Sequence, residues 1–472
     1  MSLQGDRCAS QLYWPNLLMT PDAPDDHAIT GVLSGSRAMD ANFLRNFFKA
    51  SNPGNPVADP RYYIDFADVR GGDVVRELAR TIIDLSPDEA TTQLLTGHVG
   101  SGKSTELLQL RERLQQAGFH VVYFDSGLDL EMADVEVTDI LLVMARQISA
   151  SLEQLGINVQ PTYFQRLFRS IADILQMPIE ISDVTLSVGI AEITAQSKES
   201  TNLRSQLHQY LEPRTKYILD AINSELLAPG LAQLKAQGKQ GLVAIADNLE
   251  KMLPNPKPNG RSQPEYLFVD RGEQLKRLDC HVIYTIPLEL VFSNDLPILM
   301  NRFGLRPRVL TMVPVKTIRG ESNPDSMAKL RQMVMARAYP DLPASDRQRY
   351  IPNIFDAPTT LDRLCLASGG HVRNVLRYVS GCLRKQGLPI TQPTLEQELR
   401  DERNELLGII DEAEWQLLFQ AVKARNFQGN DEYNSLLRKL FLYEYRDNRG
   451  RWVDINPVLA ETEVYQQWMK TS

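Results

Sequence analysis

Apolar residues along the chain fall into two rhythms that take turns. Gln93–Thr96, His120–Asp125, Leu242–Ala246, His281–Ile286 and Arg308–Val313 are short, nearly continuous apolar runs. That is the pattern of strands buried on both faces of a parallel sheet. Between and before them, Val74–Ile83, Lys103–Ala117 and about Thr138–Leu155 carry helical spacing. Alternation of this kind predicts a sheet sandwiched between helices from Arg61 onward. Between Asn158 and Gln240 the rhythm is lost. Helical stretches at about Pro161–Leu175 and Leu203–Leu227 flank Ile181–Ala195, which alternates in the manner of a hairpin. Past Pro314 the chain reads as helical to about Asn404. Glu412–Val422 and Asn430–Leu440 are then helical, and Phe441–Arg446 and Arg451–Ile455 alternate as strands around Asp447-Asn-Arg-Gly450, a hairpin turn signal.

These breaks divide the 472 residues into an amino-terminal extension (1–60) and an α/β core (61–316) with a mainly helical insertion at about 158–240. A helical segment (317–404) and a winged-helix-like unit (405–472) follow. Hydrophobic content of 43% and charged content of 23% are ordinary for a globular protein, and the net charge of -8 provides no global attraction to nucleic acid or anionic lipid. No apolar run has the length of a membrane span and the amino terminus lacks a signal-peptide pattern, so a cytoplasmic protein is expected. Four scattered cysteines, with no CxxC pair, argue against a disulfide framework or zinc site.

The chemistry is concentrated in Gly97-His-Val-Gly-Ser-Gly-Lys-Ser-Thr105, which satisfies G-x-x-x-x-G-K-[ST] between a strand and a helix. Gly97, Gly100 and Gly102 let backbone N–H groups converge on phosphate oxygens, with Ser101 and Thr105 completing the cradle. Lys103 is expected to reach the terminal phosphates of ATP, and Ser104 to offer its hydroxyl to Mg²⁺. Leu242–Ala246 delivers Asp247, a second Mg²⁺ ligand by position, and Glu250 is the nearest acid that can act on the attacking water.

The order of these and later motifs resembles the AAA+ ATPases, especially the bacterial branch near STAND signalling and origin-recognition-like members. The resemblance covers about Arg61–Asn404 and implies an AAA+ core with a helical lid. Where many AAA+ enzymes carry Glu directly after the strand-end Asp, this chain has Asn248. Cys280–Pro287 resembles the sensor 1 strand, which puts Thr285 near the terminal phosphate. Met300-Asn-Arg302-Phe-Gly-Leu-Arg306 is similar to the box that lends an arginine finger to a neighbouring subunit. Arg302 is the best positional match there, with Arg306 and Arg308 as rivals. Ala367–Arg377 resembles sensor 2, placing Arg373 over the phosphates, and Asp59–Asp65 falls where such ATPases meet the adenine.

The resemblance implies an ATP-controlled switch or scaffold that hydrolyses slowly and assembles with copies of itself or with a separate protein effector. Many bacterial relatives act in defence or stress signalling. The alternative is an initiator- or loader-like ATPase acting on DNA through the winged helix. Charge weighs against DNA, since from Asp401 onward acids outnumber Lys and Arg thirteen to nine. Arg438, Lys439, Arg446, Arg449 and Arg451 are the candidates for a local basic face. His98, inside the phosphate loop, reads as a tolerated variable position.

Overall fold

Five strands, β1 (Thr92–Thr96), β2 (His120–Asp125), β3 (Leu242–Asp247), β4 (His281–Thr285) and β5 (Arg308–Val309), pair in parallel in the order β2-β3-β4-β1-β5. The computed structural model describes residues 41–159, 161–175, 186–426 and 431–471. Strand residues alternate strictly between two cores. Leu95, Val243, Ile245 and Ile283 pack with Leu78, Leu107, Leu110 and Leu114 from the helices Val74–Arg80 and Lys103–Gln116. Leu94, Ala244, Val282 and Tyr284 face the other way, onto the helix Val137–Gln154 and the insertion. Apolar side chains on both faces are why these strands read as continuous runs.

The insertion is entirely helical among its described residues, and the expected hairpin is corrected. Leu186–Glu199 is a helix, while residues 181–185 lie outside the described set. Leu186, Ile190 and Ile193 are buried, at four- and three-residue spacing, whereas Val188 is 53% exposed. A strand would have placed Leu186, Val188 and Ile190 on one face. The helix sits close on its neighbour because Gly189 lies over the Phe168 ring, where a Cβ would come within 2.5 Å.

Strand β5 is shorter than expected. Leu310 still donates to Thr96 O at 2.8 Å, but Met312 donates to Glu444 O (3.0 Å) and Val313 to Gly370 O (3.2 Å). The apolar run Arg308–Val313 is thus shared among three partners, only the first of which is the sheet. Glu444 belongs to the antiparallel hairpin of β6 (Leu442–Asp447) and β7 (Gly450–Ile455). Helices at Glu412–Ala424 and Asn434–Arg438 precede the hairpin, and Trp415, Leu418, Leu436, Phe441 and Ile455 share their core. Between core and hairpin run the helices Pro324–Ala338, Pro358–Ala367, Val372–Lys385 and Gln392–Leu407. No described helix is long and apolar enough to cross a membrane.

Candidate nucleotide site

The loop from Gly97 to Gly102 joins β1 to the helix that begins at Lys103. Gly100 and Gly102 hold φ of 87° and 104°, a region costly for side chains, which lets the backbone make its tight turn into the helix. A Cβ on Gly100 would stand 2.5 Å from His371 Nε2, so glycine is also required by crowding. Lys103 is 3% exposed, and its Nζ donates to Gly97 O (2.9 Å) and His98 O (3.1 Å) and pairs with Glu250 Oε1 at 2.9 Å. Arg70 braces the loop from below by donating Nη2 to Ser101 O at 2.9 Å. Ser101 Oγ is buried without a partner among the described residues.

Asp247 closes β3, fully buried. Tyr123 OH on neighbouring β2 donates to its Oδ2 at 2.6 Å, and Asn248 N donates to Oδ1 at 2.8 Å. Burial and the adjacent Glu250 carboxylate hold Asp247 above the usual carboxylate range, despite the nearby Ser104 hydroxyl and Tyr123. Burial pushes Glu250 upward too, but the Lys103 ammonium and the Thr285 hydroxyl more than offset it, so Glu250 is held below its ordinary value. Thr285 is itself buried at the end of β4, where its Oγ1 accepts from Leu249 N at 3.0 Å. It therefore props the turn carrying Glu250 and does not line the cavity. Sequence reading missed Tyr123, because a tyrosine inside an apolar strand carries no signal of the carboxylate it will meet across the sheet.

The helical segment and the hairpin both dock on the phosphate loop. Arg373 N donates to Gly100 O at 3.3 Å, His371 Nε2 lies 2.8 Å from Val99 O, and the Arg373 side chain lines the cavity. His98 is not a free variable position: it is 2% exposed, and its Nε2 accepts the Glu444 N–H at 2.9 Å. The Tyr443 ring sits against both histidines, with centroids 6.1 Å from His98 and 5.9 Å from His371. Burial pushes His98 down to about 3 and His371 to about 4. Both rings thus stay neutral in the folded chain where an unfolded chain takes up protons. Their contribution is complete above about pH 6.5 and is lost as pH falls toward the folded values. Glu444, raised to about 7 by burial, acts in the opposite sense, losing stability as pH rises through the carboxylate range to about 7. Over pH 6.5 to 4, the acid slope of the melting temperature should be shallower in His98→Asn, which keeps an acceptor but does not titrate. Parallel slopes in the two proteins would show that His98 does not titrate against folding.

Arg302 lies at the end of the helix Leu296–Phe303, against Gly272, and does not line this cavity. Neither Arg302 nor Arg306 makes an ion pair among the described residues, whereas Arg308 pairs with Glu77 at 2.7 Å. The cavity holds about 350 Å³. Its lining includes Gly100–Thr105, Asp125, Glu250 and Arg373, as well as Tyr62, Met333 and Val57, whose N–H donates to Thr105 Oγ1 at 3.1 Å. A polyphosphate fits beside the loop, where Lys103 and Arg373 line the cavity with the start of the helix Lys103–Gln116. Ser104 lines the cavity, whereas Asp247 is fully buried, outside the lining, and reached through the Ser104 hydroxyl; a divalent cation at Ser104 would relieve this acid, now held up by burial and by Glu250. Among the other candidates, Arg61 is turned outward, paired with Asp59 (2.6 Å) and Asp341 (2.7 Å).

A parallel sheet in this strand order, with the phosphate loop after β1, between β4 and β5, and an acid ending β3, has the arrangement of an AAA+ core. The chain has that fold over its described core residues. No protein-family model matches the sequence, and no curated protein matches it. Among solved structures it is similar to the ORC2 protein of Aeropyrum pernix in ADPNP-ADP complexes: 11% identity, 84% of this chain and 94% of that one covered, TM-score 0.34. A Walker-type ATPase of Pyrococcus abyssi shares 13% identity over 86% of this chain and 97% of its own, with a TM-score of 0.39. Drosophila ORC bound to DNA shares 12% identity over 95% and 96%, with a TM-score of 0.35. The fold assignment rests on the strand order and the loop themselves.

Proposed function

We propose that the chain is an ATP-binding, slowly hydrolysing switch of the STAND-like kind, in which nucleotide controls how the lid and the carboxyl-terminal hairpin sit on the core. One observation carries this reading: the phosphate loop is hydrogen-bonded to both. Gly100 and Val99 meet the lid turn, and His98 meets β6. A ligand that reshapes this loop acts on all three contacts, and so has a different affinity for the docked and released arrangements.

Mg²⁺ held by Ser104 and Asp247 would neutralise charge between phosphate oxygens. Arrival of a terminal phosphate draws the Lys103 ammonium away from Glu250. The released carboxylate is then able to take a proton from water, so occupancy and base activation are coupled through one ion pair. Arg373 adds charge from the lid side. Arg302, outside its own chain's cavity, suits a finger offered to a second copy. Against the DNA-acting alternative, three of the five basic candidates are engaged by acids. Lys439 meets Glu414 at 2.6 Å, Arg451 meets Glu444 at 3.6 Å and Arg438 meets Glu289 at 3.9 Å.

The test is particle mass in solution with Mg²⁺ and either ADP or a slowly hydrolysed ATP analogue. Growth to a larger assembly with the analogue is expected, and Arg302→Ala should slow turnover without weakening binding. Equal mass in both states, with a shift only on adding duplex DNA, would favour the alternative.

A further inference from the structure

Arg337 is a buried charge of the nucleotide cavity with no carboxylate partner among the described residues. It lies near the end of the helix Pro324–Ala338, is 4% exposed, and lines the cavity with Met333 and Tyr62. Its Nη1 donates to Met333 O one turn back at 2.7 Å. Nε is buried with no partner, and no carboxylate among the described residues pairs with the guanidinium. Burial pushes it down to about 10, with little to offset the cost. Arg70, the other buried arginine of this cavity, has Ser101 O and Glu106 to hold it. A buried guanidinium lacking such partners is expensive unless something else supplies acceptors.

The position limits what that something is. On the ATP reading the phosphates lie against Gly100–Thr105, so the ring system of a bound nucleotide extends toward Tyr62 and Met333, which line the cavity beside Arg337. A purine edge offers ring-nitrogen acceptors there, and a guanidinium is donor-only. We infer that Arg337 is a specificity residue that reads the nucleobase, donating a hydrogen bond to one ring nitrogen of adenine. This rests on the ATP reading and deepens it: the helical segment recognises the base as well as the phosphates, so a bound nucleotide ties that segment to the core at both ends.

The experiment titrates wild type and Arg337→Met with ATP and with three analogues in which carbon replaces N1, N3 or N7. Wild type should bind one analogue about tenfold more weakly than ATP, the loss expected for a hydrogen bond to a charged donor. Arg337→Met should bind ATP about tenfold more weakly, and that same analogue no more weakly than ATP. Ligand-free Arg337→Met should melt at the wild-type temperature or above it, since a lone buried charge is replaced by an apolar chain. Equal binding of all three analogues by wild type, or a variant with unchanged ATP affinity, overturns the base-reading role and leaves the ATP reading standing. A lower melting temperature of the ligand-free variant assigns Arg337 a structural role instead. A wild type that binds no ATP overturns both.

Discussion

Lys103→Ala is expected to abolish detectable nucleotide binding and, independently, to destabilise the ligand-free protein by about 3–5 kcal/mol at neutral pH. The second effect follows from the pair it breaks. Lys103 and Glu250 meet at 2.9 Å with side chains 3% and 6% exposed, so removing the ammonium leaves a buried carboxylate without its ion-pair partner. In wild type Glu250 is depressed, and its contribution is lost only as pH falls through its low folded value. In the variant the largest lowering influence on Glu250 is gone, and burial opposed by the Thr285 hydroxyl is expected to raise it above the unfolded value. Stability is then retained in acid and lost as pH rises, so the deficit should shrink at low pH. Adding Glu250→Gln should recover most of the deficit without restoring binding. Nucleotide titration and melting curves separate the two effects, and unchanged affinity in Lys103→Ala would sink the phosphate-loop assignment.

Gly370→Ala should be among the most damaging small substitutions in the chain. The residue holds φ at 74°, and a Cβ there would lie 1.7 Å from Val313 O and 2.6 Å from its carbonyl carbon. Backbone cannot move aside as a flexible side chain does, and Val313 is tied down because its own N–H bonds to Gly370 O. The left-handed conformation alone costs an alanine about 1–2 kcal/mol. Overlap with backbone should carry the total beyond about 4 kcal/mol, or release the lid turn from the core. Gly387→Ala is the control, with φ of 87° and nothing within 4 Å of the added carbon. It pays the conformational cost only and should melt close to wild type. Similar melting losses in the two variants would show that the contact with Val313 is not what demands glycine.

Much of the core was legible in the sequence because its signals are local. A strand buried on both faces announces itself as an apolar run, and the phosphate loop is contiguous. The insertion misled because Ile181–Ala195 is short enough for two- and four-residue periods to overlap. Only the exposure of Val188 against the burial of Ile190 separates them. Strand β5 was overextended since an apolar run does not say which partner each residue will find. The contributions of Tyr123, His98 and Arg337 were invisible for a shared reason. Each is defined by a group distant in sequence, or by the lack of one, and a single sequence records neither. Arg302 and Arg373, both named from resemblance, are separated by the structure: Arg373 lines the cavity and Arg302 does not.

The bond from Glu444 N to His98 spans 346 residues. During synthesis, amino end first, the phosphate loop leaves the ribosome long before the strand that completes it. Until Glu444 emerges, an imidazole bound for the interior has no donor and the Tyr443 ring is missing from its side. The nucleotide loop thus acquires this bond and this ring contact only after the carboxyl-terminal hairpin has been made.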